Sequence, residues 1–255
     1  MTTKEIAEKL NENKWYRKAD GSLITPYQIY GRAKGYPELF YCEGSTISLK
    51  GSTTRKIAFE RTSKQHVRIS QNTVKDSVSV EKMLMNKQNF KSAKDVDGFV
   101  PQASGLYCIR IKNVHLLPEP FGTILLERGH DILYIGIASE NLYNRFLNQE
   151  LRAKGHGTFF RSMGAVLGYK PPKGSLIEKR NKKNYKFSKT DELKIIGWIN
   201  ENLMVNWVES AGDLDSLETG LIVKYLPLLN LSKNPAALQI LSYLRKECVE
   251  IANRN

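Results

Sequence analysis

The sequence predicts an α+β protein: a small antiparallel β-sheet flanked by helices and preceded by a smaller helical module. Two observations predict this class. Strand-like alternation of apolar residues starts near residue 105 and is interspersed with helical patterns, while two capped helical patterns and a hairpin pattern occupy the first 50 residues. A chain of 255 residues has room for one large or two small domains. We therefore predict a module at 1–50, a linker or accessory region at 51–100 and a larger domain at 101–255.

The first 50 residues predict two helices and a hairpin. Thr2-x-x-Glu5 is a capping box that opens a first helix, and Thr25-Pro26 supplies an N-cap and a first-turn proline to a second helix at 27–34. The runs 39–42 and 46–49 predict paired strands. This order is that of a winged helix, and the amino-acid sequence of the segment is similar to that of the HARE-type winged-helix module.

The winged-helix resemblance implies that the second helix reads DNA. Its candidate contacts are Tyr27, Gln28, Arg32 and Lys34. The other interpretation is a packing module that binds a protein partner or nothing, and the sequence leaves both open.

The rest of the chain alternates between strand and helix patterns. Residues 78–85 predict a short helix and 92–102 a linker. From Gly105, a strand places Tyr107, Ile109 and Ile111 on one face. Further patterns predict strands at 124–126, 132–135 and 204–208, helices at 141–153 and 213–225, and a last helix capped by Asn234-Pro235.

Charge and cysteine usage limit the function classes. The net charge of +13 favours a polyanionic partner such as DNA. Basic residues interleaved with Tyr185 and Phe187 suit a loop along a phosphate backbone, although such loops are also often only solvated; they are Lys179, Arg180, Lys182, Lys183, Lys186 and Lys189. The three scattered cysteines indicate neither a disulfide framework nor a zinc site. With no long apolar run, we expect a soluble cytoplasmic protein without a membrane partner, at the nucleoid when bound to DNA.

One set of residues from separate segments carries the sharpest functional signal: Gly105-Leu106-Tyr107, Tyr134-Ile135-Gly136, Arg145, and Glu218-x-x-Leu221-Ile222 with Pro227 and Asn230. In this order they resemble the GIY-YIG nuclease family over roughly residues 100–235. The resemblance implies a GIY-YIG-like α+β fold and an active site of two tyrosines, one arginine and one metal-binding glutamate.

The resemblance assigns roles to these residues. Glu218 is the expected metal ligand, for Mg²⁺ or Mn²⁺ in its place; on a helix it shares a stripe with Leu214 and Ile222, where a carboxylate needs a cation. A salt bridge to a lysine or arginine is the plain alternative. By resemblance, Tyr107 is the general base or water-positioning group and Tyr134 orients water or phosphate.

Arg145 suits the scissile phosphate because its guanidinium presents a planar fork of donors. Arg152 and Arg161 compete for this role if the register differs, and Arg161 also belongs to the predicted DNA contacts. Asn230 is expected to tie the chain near the site by hydrogen bonds.

The chain departs from the family in several places. The first motif reads Gly-Leu-Tyr, and the long step of 27 residues from Tyr107 to Tyr134 implies an inserted loop around Leu117–Arg128. Ile137-Ala138-Ser139 stands where some members carry lysine, and Gln149 where some carry histidine or tyrosine. His156, in a glycine-rich loop, is the candidate replacement, although a structural role is equally compatible with its position.

These patterns together predict a Mg²⁺-dependent endonuclease of double-stranded DNA, of restriction or defence type. A repair or structure-specific nuclease and an inactive DNA-binding regulator are the alternatives. A homodimer is left open.

Overall fold

The computed structural model describes residues 1–12, 23–34, 36, 39–43, 45–49 and 79–254. These residues fall into two compact units, divided between Thr62 and Ser63. Within the described ranges, no helix combines the length and the apolar character needed to cross a membrane.

The first unit contains two helices and a hairpin, in the order that the sequence predicts. Helices α1 (Thr3–Glu12) and α2 (Pro26–Lys34) precede strands β1 (Phe40–Glu43) and β2 (Thr46–Leu49), which pair antiparallel. Small and branched apolar side chains form the core; these are Ala7, Ile24, Ile29, Ala33 and Ile47. The element order agrees with a winged helix, and that assignment stays a prediction.

Both helix caps form as predicted, and the second also involves the side chain of Gln28. Thr2 and Glu5 exchange side-chain and backbone hydrogen bonds. In the same way, Gln28 Oε1 accepts a hydrogen bond from the Thr25 amide at 3.1 Å. The exposed Gln28 side chain therefore stabilises the start of α2, and its contact with DNA stays a prediction. Arg32 is exposed, while the side chains of Tyr27 and Lys34 lie outside the described part.

The second unit is an α+β domain around a four-stranded antiparallel sheet. Its elements are α3 (79–85), β3 (Lys91–Ser92), β4 (Gly105–Ile111), α4 (Phe121–Glu127), β5 (Ile132–Ala138), a π-helix (Tyr143–Leu151), α5 (Thr158–Val166), α6 (Lys189–Asn202), β6 (Leu203–Glu209), α7 (Leu214–Tyr225) and α8 (Gln239–Asn253). The strand order is β3-β6-β4-β5. The predicted α+β class is thereby confirmed.

The two faces of the sheet build two separate cores, as the alternation along β4 predicts. Tyr107, Ile109 and Ile111 face the larger core, together with the π-helix, α5 and α8. Leu106 and Cys108 face a smaller core beneath α3 and α7. Because β4 is central, helices cover both of its faces, and this arrangement brings the π-helix and α7 to the same sheet.

The predicted strand at 124–126 is wrong, because this run lies in α4. Helical spacing explains the difference: Phe121 and Leu125 are buried four residues apart, whereas Leu126 is half exposed. Three consecutive apolar residues cannot by themselves distinguish a helix from a strand. The long step between the two tyrosine motifs therefore contains a short helix.

The segment predicted as a linker at 92–102 also differs from expectation. It begins in β3, which pairs with β6, and its Ala93, Val96 and Val100 are buried in the larger core. Polar residues between these three positions hid the apolar pattern. In the structure this segment packs as part of the second unit.

The predicted cap of the last helix lies too early in the chain. Asn234 is buried and donates to the carbonyls of Pro227 and Asn230, while its own side-chain oxygen accepts from Ala236. These bonds shape a turn, and α8 starts only at Gln239. Asn-Pro is compatible with either a turn or a cap, and tertiary packing selects the turn.

Candidate active site

An open cleft brings together the four residues that define the sequence motif. It has a volume of about 520 Å³ and is lined by Tyr107, Tyr134, Ile137, Ser139, Glu140, Asn141, Asn144, Arg145, Gln149 and Glu218. The two tyrosines come from β4 and β5, the arginine from the π-helix and the glutamate from α7. The sequence predicted the members of this site, and folding joins them across more than 100 residues of chain.

Strand register places the two tyrosines on the same face of the sheet. Tyr107 on β4 lies opposite Gly136 on β5, and Tyr134 is two residues before that glycine. A Cβ atom at Gly136 would lie 2.5 Å from the Tyr107 hydroxyl oxygen, so only glycine leaves room for it. The tyrosine rings stack with centroids 6.2 Å apart.

The two tyrosines differ in their access to solvent. Tyr107 has no exposed surface and its ring lies between Tyr134 and Phe146, whereas Tyr134 keeps 7% of its surface exposed. Burial, and secondly the nearby Glu150 carboxylate, raise the pKa of both hydroxyls above the usual value. Both tyrosines are therefore protonated at neutral pH and can donate a hydrogen bond.

Arg145 and Glu150 meet because this helix is wound as a π-helix. The sequence predicted an ordinary helix over 141–153, whereas residues Tyr143–Leu151 form the wider turns of a π-helix, with Arg152 N bonded to Leu147 O. Residues five apart then lie one turn from each other. As a result, Arg145 Nη1 lies 2.5 Å from Glu150 Oε1.

Glu150 is a fully buried carboxylate that the sequence analysis did not identify. Besides Arg145, its Oε1 accepts a 3.4 Å hydrogen bond from the Tyr107 hydroxyl, and its Oε2 accepts from the Phe160 amide at 3.1 Å. A glutamate among apolar positions Phe146, Leu147 and Leu151 was the available signal. Read as an α-helix, however, the sequence placed it away from Arg145.

Glu218 forms an ion pair with Lys233. Lys233 Nζ lies 2.7 Å from Glu218 Oε2 and also contacts Asp215, one turn earlier on α7. Burial opposes the charge of Lys233, but its hydrogen bonds to Asp215 and Glu218 outweigh burial and raise its pKa. This contact is the salt bridge that the alternative interpretation expected, and the metal role of Glu218 stays a prediction.

The carboxylate at the cleft is compatible with a single Mg²⁺ or Mn²⁺ ion. Glu218 lines an open cleft, and Mg²⁺ in phosphoryl-transfer sites is commonly held by one or two carboxylates with waters and substrate phosphate. Among the described residues, no group of three or more His, Cys, Asp or Glu side chains forms a closed metal cage. An ion here would have Glu218 as its protein ligand.

Comparison with known proteins gives one family match. The model of the GIY-YIG catalytic domain matches residues 105–247, which is more than half of the chain. The chain belongs to the GIY-YIG family. No curated protein and no solved structure gave a match in the corresponding searches. Because it belongs to this family, the chain is a nuclease, and its substrate is a nucleic acid.

His156 lies outside the cleft of this GIY-YIG domain. Its side chain is fully buried, with Nε2 3.2 Å from Glu192 Oε1, and it packs against Phe160 and Phe187. Burial lowers the pKa of His156 to about 4, so the ring is neutral at physiological pH. The prediction that His156 replaces a missing base or proton shuttle does not agree with this position.

Asn230 ties the segment after α7 to the YIG strand. Its side chain accepts from the Ile135 amide at 3.0 Å and donates to the Ile135 carbonyl at 2.8 Å. This pair of bonds is the tie that the sequence predicted. Asn230 is not among the residues that line the cleft, so its contribution is to position β5 against α7.

The predicted DNA contacts of this domain divide into an exposed group and a buried residue. Exposed side chains occupy the lysine-rich segment; they are Lys179, Arg180, Lys182, Lys183 and Lys186. Tyr185 and Phe187 are buried in the core, so they anchor this segment and cannot stack on bases. Arg161 is only 9% exposed on α5, which removes it from any open basic surface.

Proposed function

We propose that this nuclease is a metal-dependent endonuclease of double-stranded DNA, of restriction or defence type. The observation that carries the proposal is the convergence of Tyr107, Tyr134, Arg145 and Glu218 on one open cleft. Arginine, carboxylate and hydroxyl groups are what phosphodiester hydrolysis needs for binding phosphate, holding a cation and ordering water. The net charge of +13 supports a polyanionic substrate.

Arg145 is the group in the cleft best suited to the scissile phosphate. Its side chain is one-third exposed, and its contacts with described residues use Nη1 alone. The remaining donors, Nη2 and Nε, are available to phosphate oxygens, whose charge grows during phosphoryl transfer. Arg152, the competing choice, is engaged with Asp97, Asn200 and the Ala93 carbonyl.

We assign to Tyr134, in place of Tyr107, the role of positioning the attacking water. The family resemblance implied this role for Tyr107, but Tyr107 has no exposed surface and its hydroxyl faces Glu150. Because its pKa is raised, Tyr134 acts as a donor that orients water or phosphate, not as a phenolate base. A metal ion on Glu218, when bound, supplies an activated water and charge relief.

The exposed basic segment is suited to contact the phosphate backbone of DNA. Arg180, Asn181, Lys182 and Lys183 surround a shallow depression of about 510 Å³. The Lys182 ammonium is partly engaged with the carbonyls of Leu176 and Ile177, so its neighbours carry more of the available charge. Phosphate contacts of this kind set affinity and register without reading sequence.

The experiment that tests the proposal is cleavage of supercoiled plasmid and phage DNA by the purified protein. We expect Mg²⁺ or Mn²⁺ to support cutting and a chelator to abolish it. Discrete fragments from unmodified phage DNA would support the restriction type. Cutting confined to branched or damaged duplexes would favour the repair alternative, and tight binding without cutting in any metal would favour the inactive regulator.

Lys233→Gln should tighten metal binding in the absence of DNA. Lys233 and a metal ion would compete for the Glu218 carboxylate, and an ion pair of this exposure contributes about 1 kcal/mol, or roughly fivefold in affinity. Titration of the DNA-free protein with Mn²⁺, followed by electron paramagnetic resonance, measures this change. Lys224→Gln is the matched control, because Lys224 lies on α7, as Glu218 does, but pairs with Glu81. Unchanged or weaker Mn²⁺ binding by Lys233→Gln would show that the lysine does not compete.

Deleting residues 1–50 should weaken DNA binding without unfolding the nuclease domain. The first unit has its own core, and all four motif residues in the cleft belong to the second unit. Each lost phosphate contact should reduce the salt slope of binding by roughly one unit. Binding is measured at several salt concentrations in Ca²⁺. Unchanged affinity and slope in a folded truncated protein would exclude this module as a DNA reader, and a truncated protein that fails to fold would assign it to the nuclease core.

A further inference from the structure

The buried carboxylate of Glu150 touches two motif residues but has no part in the roles assigned above. Its Oε1 lies 2.5 Å from Arg145 Nη1 and accepts from the Tyr107 hydroxyl at 3.4 Å, and no part of its side chain is exposed. A carboxylate removed from water costs several kcal/mol unless it is well compensated. A residue retained at such a cost invites a functional explanation.

The protein stabilises the buried Glu150 carboxylate with a backbone donor at the start of a helix and a glycine packed against it. The Phe160 amide, at the start of α5, donates to Oε2 at 3.1 Å, so the carboxylate lies at a helix N-terminus where negative charge is stabilised. A Cβ atom at Gly157 would lie 2.0 Å from Oε2, so glycine is required beside it. Three segments thus fix the carboxylate: β4, the π-helix and the Gly157–Phe160 turn.

We propose that Glu150 is a positioning residue that holds the Arg145 guanidinium and the Tyr107 hydroxyl in the geometry needed for phosphate binding. The π-helix supplies the spacing, because it brings residues five apart onto one face. Glu150 holds Nη1, which restricts the guanidinium, and Nη2 and Nε remain for the phosphate. This inference rests on the proposed nuclease function of the same cleft.

The proposal makes the hold on Arg145 depend on the charge of Glu150. The groups that face this carboxylate are Arg145 from its own helix, the Tyr107 and Tyr134 hydroxyls from the sheet, Arg161 from α5, and the amides of Phe159 and Phe160. Burial raises the pKa of Glu150, and Arg145 opposes this shift. Protonation at falling pH would neutralise the carboxylate, weaken the hold and slow cleavage.

The first test compares Glu150→Gln with Glu247→Gln. Glu247 carries an ion pair with Lys170 away from the cleft, so it controls for loss of a paired carboxylate. We expect Glu150→Gln to lower kcat about 100-fold, as misplaced catalytic groups do, with KM for DNA within about threefold. Its rate should also lose the fall at acid pH that the wild type shows, whereas Glu247→Gln should keep it. A wild-type kcat and pH profile in Glu150→Gln would overturn the proposal.

A double-mutant cycle with Arg145→Lys separates positioning from general structure. Because Glu150 acts in part through Arg145, the rate loss of the double variant should be smaller than the product of the two single losses. Rate losses that multiply would mean that the two residues act independently, and the proposal would fail. Should Glu150→Gln not fold, Glu150→Asp keeps the charge but withdraws the carboxylate by one methylene group. Slow cleavage by a folded Glu150→Asp protein would support the proposal, and a wild-type rate would contradict it.

Arginine-selective nuclear magnetic resonance tests the contact without turnover. In ¹⁵N-arginine-labelled protein, the Arg145 Nη protons should exchange slowly in the wild type and average rapidly in Glu150→Gln, with Arg145→Lys assigning the signals. Unchanged Arg145 signals in a folded Glu150→Gln protein would disprove positioning. A wild type that cuts no nucleic acid in any metal would instead refute the proposed function, and the two failures are therefore distinguishable.

Discussion

Glu218→Gln should abolish cleavage, by more than about 1000-fold in kcat/KM, while leaving DNA binding largely intact. The substitution keeps the shape of the side chain but removes the negative charge, and Glu218 is the carboxylate of α7 that lines the cleft. Metal-assisted hydrolysis depends on a correctly held ion, whose charge relief contributes several kcal/mol. Losing the Lys233 pair should cost the fold little, since partly exposed ion pairs contribute about 1 kcal/mol or less.

The measurement is a single-turnover cleavage assay in Mg²⁺, with binding in Ca²⁺ and a thermal melt as companions. Glu247→Gln again provides the control for a paired carboxylate away from the cleft. Cleavage by Glu218→Gln within a few-fold of the wild type would remove this glutamate from the mechanism. Loss of cleavage together with loss of folding would instead show that the Lys233 contact matters for stability.

Arg145→Lys should slow cleavage about 100-fold, with a smaller effect on binding. Lysine keeps the positive charge beside Glu150 but cannot present a planar fork, so it cannot hold Glu150 and a phosphate together. Misplacement of a group by about 1 Å can cost about 100-fold in rate. Cleavage rates at saturating DNA measure this loss directly.

Arg161→Lys is the informative comparison for that experiment. Arg161 competed for the same role on sequence grounds, but it is only 9% exposed on α5 and does not line the cleft. We expect its effect to be on stability, with a near-normal rate in folded protein. A dead Arg161→Lys beside a nearly normal Arg145→Lys would show that the assignment of the phosphate-binding arginine is wrong.

The elements that the sequence predicted are those whose signals are local. Alternation along β4 identified its two faces, and the Thr2–Glu5 capping box formed as expected. The run 124–126 was misread because three apolar residues have no period of their own. Likewise, the segment 92–102 looked polar although Ala93, Val96 and Val100 reach the core.

The sequence also predicted four residues that line the cleft, because Tyr107, Tyr134, Arg145 and Glu218 follow the order of the motif. It did not predict the contacts that these residues make. Glu150 could not be identified from the sequence, because only the π-helix makes it a neighbour of Arg145. Lys233 was missed for the same reason: it reaches Glu218 across a turn of the fold, 15 residues along the chain.

The sequence by itself determined the class of fold, the family and the identity of the motif residues, because periodicity, caps and motif spacing are properties of neighbouring positions. Only the tertiary structure decided which tyrosine is exposed to solvent, which carboxylate holds Arg145 and which cation pairs with Glu218. These properties depend on burial and on distances between segments far apart in the chain. For the same reason, the sequence could not show that His156 lies in the core, where it packs beside Glu192, Phe160 and Phe187.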